Sequence, residues 1–66
     1  MAVAKILELT ARSPESFEDA VEMGIGKASE SVEDIQSAWI KDQQVLLTDG
    51  SISEYQVTLK VTFMVH

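Results

Sequence analysis

"SEYQVTLKVTFMV", residues 53–65, decides the fold. Tyr55, Val57, Leu59, Val61, Phe63 and Val65 alternate with Glu54, Gln56, Thr58, Lys60, Thr62 and Met64. A strict period of two, carried by aromatic and β-branched residues, marks a strand with one face on a core and the other face polar. Just before it, "TDGS" (48–51) supplies Asp49 and Gly50, a pair suited to a tight hairpin turn. Residues 36–47 on the far side of that turn read as a second strand, so the C-terminal half of the chain is a long hairpin.

Upstream, "VAKILELT" (3–10) reads as a first strand rich in Val, Ile and Leu. Ser13 followed by Pro14 predicts a helix start, a capping hydroxyl and then a proline whose missing N–H costs nothing there. Glu15, Glu18 and Asp19 suit the first turns, where the helix dipole favours negative charge. Phe17, Ala20, Val21, Gly24, Ile25 and Ala28 recur at helical spacing and predict a helix over about 14–30. Its apolar stripe is narrow and partly made of small residues, which suits close packing on a sheet. The reading is α+β, one domain over residues 1–66, in the order β-α-β-β with a three-stranded antiparallel sheet.

One small helix covers one face of such a sheet. Ala38 and Ile40 are the expected helix-facing residues of the second strand. Ser37, Trp39 and Lys41 then point the other way, and Gln56, Thr58 and Lys60 share that open side. Trp39, the only tryptophan, thus stands among polar neighbours on an uncovered sheet. Either another subunit or a planar ligand is expected to cover it. The indole offers a flat, electron-rich face, and the Gln56 carboxamide offers both donors and an acceptor. Trp39 and Gln56, with Ser37 and Lys41 beside them, are the candidate cofactor-binding residues.

The totals narrow the field. A chain of 66 residues is marginal on its own, and with no cysteine it has no disulfide to support it. A single histidine, His66, argues against structural zinc. Oligomerisation is the remaining source of burial. A net charge of -6 repels phosphate backbones and argues against nucleic acid. No apolar run approaches the roughly 20 residues of a membrane helix. Lys5 interrupts the apolar start before a secretory leader forms. With no cysteine, this predicts a cytoplasmic protein.

Chemical motifs are scarce. "GIGKAS" (24–29) lacks Walker spacing and falls within the predicted helix, where its small residues serve packing. Glu30, Glu33, Asp34 and Asp49 lack calcium-loop spacing and read as solvated charges, with a weak cation site between subunits as the alternative. Met1, Met23 and Met64 are too scattered to form a cofactor box. His66 has no partners for a triad, so the chain is read as non-enzymatic, with a small enzyme ranked last.

Taken together, "KILELTARSPESFEDAVEMGIGKASESVEDI", "AWIKDQ" and "DGSISEYQVTLKVTF" resemble the dodecins over nearly the whole chain. The resemblance implies a sheet wrapped around its helix and a hollow, roughly spherical homododecamer whose open faces are buried by neighbouring subunits. It implies flavin (riboflavin, FMN or FAD) stored between subunits, stacked on tryptophan, with a last-strand glutamine at the ring edge. Gln56, directly after Tyr55, matches that glutamine. The family's W-F-E-V tryptophan aligns with Ser37, and Trp39 falls two residues later, on the same face but displaced by roughly 6.5 Å. A subgroup lacking that tryptophan is similar in this respect, and at least one member is associated with calcium. The alternative function is therefore a dodecin-like oligomer that binds a metal ion such as calcium, or another small ligand such as coenzyme A, without stacking flavin.

Overall fold

The computed structural model describes residues 2–66; Met1, one of the three methionines noted above, lies outside the described residues. Strand β1 (Val3–Ser13) leads into helix α1 (Phe17–Ala28), followed by strands β2 (Ile35–Thr48) and β3 (Ser51–Val65). All pairings are antiparallel and the order across the sheet is β1-β3-β2. The strand with the strictest alternation therefore lies in the centre.

Both ends of the hairpin are longer than predicted, because the connection contains only two residues. Asp49 (φ 52°) and Gly50 (φ 80°) both take the left-handed conformation, as a turn matched to strand twist requires. Pairing then begins at Thr48 and Ser51. β1 also outruns its predicted end at residue 10. β3 is long enough to pair with Ala11, Arg12 and Ser13, through Val57, Gln56 and Tyr55.

The helix start differs from the expectation as well. Ser16, not Ser13, is the N-cap: its extended backbone precedes Phe17, and its Oγ accepts from the Asp19 amide at 2.9 Å. Ser13 ends β1 and is completely buried. Its hydroxyl accepts from the Glu15 amide at 3.0 Å and donates to the Asp19 carboxylate at 2.5 Å. Pro14 thus belongs to the turn between strand and helix. Ser29 closes the far end, so the helix is shorter than the 14–30 predicted.

The core lies between α1 and the central strand. Val57, Leu59 and Val61 of β3 are fully buried against Ala20 and Ala28, with Phe17, Val21, Ile25, Leu7 and Leu9 around them. Each of the three fully buried side chains, Val57, Leu59 and Val61, contributes about 1.5–3 kcal/mol of burial. Gly24 allows the close approach. A Cβ there would stand 2.8 Å from the Leu59 Cδ1 and 3.1 Å from that of Leu9.

The helix packs chiefly on β1 and β3; of β2, Ile35 at its start packs against the core, and most of the strand beyond it is exposed. Ala38 and Ile40 do share the core-side face, opposite Val61 and Leu59. They are nevertheless exposed, because a single helix is too narrow to reach a third strand. The expectation that α1 covers them is thus corrected: they share the predicted face but stay exposed.

Candidate functional site

Facing away from the helix, the open side of the sheet is built in rows across β1, β3 and β2. Ile6, Thr62 and Ser37 form one row, and Glu8, Lys60 and Trp39 the next. At Ile40/Asp42 the register slips by one, which leaves Lys41 without a partner on β3. Beyond that bulge the rows continue as Thr10, Thr58 and Asp42, then Arg12, Gln56 and Gln44. The slip decides that Asp42 and Gln44, rather than Gln43, belong to this face.

Trp39 is 69% exposed. The Lys60 ammonium stands over its ring, 5.6 Å from the centroid, a cation–π arrangement. Ser37 lies two residues away on the same face. From the bulge, Lys41 reaches across the sheet to Glu8, 3.5 Å away. Gln56 is half-buried, and its Oε1 accepts from the Arg12 Nε at 2.7 Å. Thr10 and Thr58 hydroxyls lie 3.4 Å apart between the two groups.

The four candidate residues thus share one face, as alternation predicts, but they do not converge. Trp39 stands in the row of Lys60, and Gln56 lies four residues farther along β3, about 13 Å away at strand rise. Within one protomer, Trp39 and Gln56 cannot both grip the same small ring edge-on. A ring held by both needs a second copy of the chain.

Arg12 and Lys60 are the contributors that sequence reading misses. Alternation puts Lys60 on this face but gives it no role. Arg12 lies beyond the predicted end of the first strand. The antiparallel register is the signal that finds both, since it sets Glu8 beside Lys60 and Arg12 beside Gln56.

Charge is unevenly distributed. The open face carries Arg12, Lys41 and Lys60 against Glu8, Asp42 and Glu54, and so is neutral overall. The net charge of -6 therefore resides on the remainder of the chain, chiefly the helix and the turns. Among the described residues, no three His, Cys, Asp or Glu side chains come together to hold a metal ion. Asp34, with its backbone in the left-handed region, pairs with His66 at 2.7 Å and with Gln36, well away from Trp39 in sequence register. A groove of about 420 Å³ between α1 and β1, lined by Leu7, Leu9, Met23 and Gly24 among others, contains none of the four candidate residues. Among the described residues, no helix is long and apolar enough to cross a membrane.

A three-stranded sheet curled on one helix, with an open face that mixes an indole, amides and paired charges, defines a class of small α+β proteins. The chain belongs to the dodecin family, matching it over residues 3–66. It is 30% identical over 63 residues to a calcium dodecin of Mycobacterium tuberculosis (strain ATCC 25618 / H37Rv), spanning 96% of this chain and 89% of that protein. The dodecin from Streptomyces davaonensis has a similar structure, with a TM-score of 0.94 at 28% identity over 98% of this chain and 96% of the other. The crystal structure of the M. tuberculosis calcium dodecin, described as having a novel calcium-binding site, gives a TM-score of 0.85 at 28% identity over 97% and 91%.

Proposed function

We propose that this dodecin is a non-enzymatic binding protein that holds flavin between its own copies, as a homododecameric store or buffer in the cytoplasm. The observation that carries the reading is the exposed Trp39 indole on the same open sheet face as Gln56. An exposed tryptophan with polar surroundings suits stacking on a planar heterocycle. Ser37 and Lys41 flank the indole and complete the proposed ring-facing set. The separation of Trp39 from Gln56 favours a site composed of two copies, the indole from one and the carboxamide from another. Bare faces on β2 and two unpaired strand edges favour self-association in the same way.

A second reading has its own support. The 30% identical relative is named a calcium dodecin, and the open face presents the carboxylates of Glu8, Asp42 and Glu54. Calcium needs six to eight oxygen ligands, so a site here would also be shared between copies.

Titration of riboflavin and FMN at micromolar concentration, followed by flavin fluorescence, separates the two readings. Quenching with saturation supports flavin storage. Unchanged emission, together with calcium uptake in equilibrium dialysis, replaces it with the calcium reading.

A further inference from the structure

We propose that the end of β2, residues 43–48, docks as an added strand along the free edge of β1 in a second copy of the chain, with Val45 and Leu47 filling the groove between that copy's α1 and β1. The inference rests on the self-association proposed above and names the surfaces that make it.

The receiving surface follows from the way one helix sits on three strands. β1 and β2 are the outer strands, with β3 between them. Among the described residues, each therefore has one edge whose backbone groups face no strand. On β3, Val57, Leu59 and Val61 are fully buried, but their neighbours on β1, Ala11, Leu9 and Leu7, are only half-buried. The groove of about 420 Å³ lies beside them, with Met23 and Lys27 of α1 on its other wall. Met23 is 53% exposed, a large apolar side chain left in water. Thr10 and Arg12 also border the groove, yet their side chains turn to Thr58 and Gln56 on the opposite face. β1 thus meets the groove at its backbone edge, which is what an incoming strand needs.

The donated surface is the far end of β2. Ser13, the last residue of β1, shares a row with Tyr55 and Val45, so Leu46, Leu47 and Thr48 run on beyond the third strand. Tyr55 packs on Phe17 of the helix, which sets Val45, and by alternation Leu47, on the helix side of the sheet. They are 38% and 60% exposed. The Ser53 hydroxyl donates to the Leu46 carbonyl at 3.0 Å and ties the hairpin together where its register slips. Because β3 separates β1 from β2, their free edges face opposite ways, and no copy reaches its own groove.

The two surfaces agree in length, volume and charge. Residues 7–12 of β1 and 43–48 of β2 are equal in length. Roughly 150 Å³ holds a ring-sized group, so the groove has room for both Val45 and Leu47. The segment "QQVLLT" is uncharged and flanked by Asp42 and Asp49, whereas the charged residues at the groove, Arg12 and Lys27, are both cations. Donor and receiver are different surfaces, so every copy gives one and takes one, and the contact passes from chain to chain until it closes.

Hydrogen exchange read by mass spectrometry on the assembled wild type tests the contact. Amides of 7–12 and 43–48 both exchange at least about tenfold more slowly than in Leu47→Lys, which sets a cation against Lys27. Met23→Lys, on the other side of the contact, exposes the same two segments. Leu47 and Met23 are exposed in the protomer, so neither change touches its core. Each variant keeps one working surface. Mixing the two, with one isotopically labelled, restores slow exchange at 7–12 in the Leu47→Lys copies and at 43–48 in the Met23→Lys copies, and not at the reverse pair. Fast exchange at either segment in an intact wild-type assembly overturns the proposal and leaves self-association standing. Protection of 7–12 that survives Leu47→Lys gives the groove to another occupant and overturns it too, as does a mixture in which nothing is regained. A wild type that sediments as a monomer removes the self-association reading and the contact together.

Discussion

The Lys60 ammonium sits over the ring of Trp39, 5.6 Å from its centroid. One face of the indole thus already has a partner in the protomer, and a planar ligand either displaces the lysine or takes the opposite face. Trp39→Ala removes stacking worth about 0.5–1.5 kcal/mol in addition to the lost contact area. Flavin affinity is expected to fall at least tenfold, since about 1.4 kcal/mol is one decade. Sedimentation of the variant decides the meaning: an intact assembly with weaker binding marks a ligand residue, whereas unchanged affinity with a broken assembly marks interface core.

Gln56→Ala is expected to weaken flavin binding less, by the roughly 0.5–1.5 kcal/mol of a neutral hydrogen bond. Fluorescence titration beside Trp39→Ala gives the ranking directly. A larger loss at Gln56 than at Trp39 would contradict a site dominated by stacking.

The two helical glycines should respond in opposite directions. A methyl group added at Gly26 would meet nothing within 4 Å. Gly26→Ala is expected to stabilise by about 0.5–1 kcal/mol through helix propensity alone. Gly24→Ala meets Leu59 at 2.8 Å, Leu9 at 3.1 Å and Ala11 at 3.2 Å. Leu59 is fully buried, so overpacking of about 1–3 kcal/mol outweighs the propensity gain. Thermal melts at one fixed protein concentration check both signs.

Ser16→Ala removes the helix cap and is expected to cost about 1 kcal/mol. Ser13→Ala leaves a part-buried carboxylate oxygen and an amide hydrogen without their partner, with a cost of about 1–3 kcal/mol. Denaturant unfolding of the two variants should therefore place Ser13 at or above Ser16.

The strand faces are legible because alternation on β3 is strict, and alternation alone puts Trp39 on the face of Gln56. The helix start misleads because Ser13-Pro14 satisfies the same rule as Ser16, and only the bonds of Asp19 distinguish them. The bulge at Lys41 leaves no mark in the sequence, since Lys-Asp-Gln-Gln is polar in either register. The Arg12–Gln56 bond is hidden for another reason: it depends on β1 lying beside β3, a fact of strand order rather than of local pattern. That α1 fails to cover β2 follows from the width of one helix against three strands.

Twelve chains of 7.3 kDa make a particle of about 88 kDa, and sedimentation at micromolar concentration is expected to show it. The melting temperature should fall on dilution below the assembly threshold. A stable monomer would contradict both.

The bare strand β2 makes each newly released chain conspicuous. Trp39, Ile40 and Leu47 are 69%, 44% and 60% exposed on it, beside an edge with unpaired backbone groups. A lone copy therefore displays the kind of sticky, half-solvated ribbon that proteases and chaperones read as unfinished. Partners that cover this ribbon would hide that signal. The lifetime of the polypeptide would then depend on how soon it finds its own kind, and amide exchange along β2 would be the direct clock of that encounter.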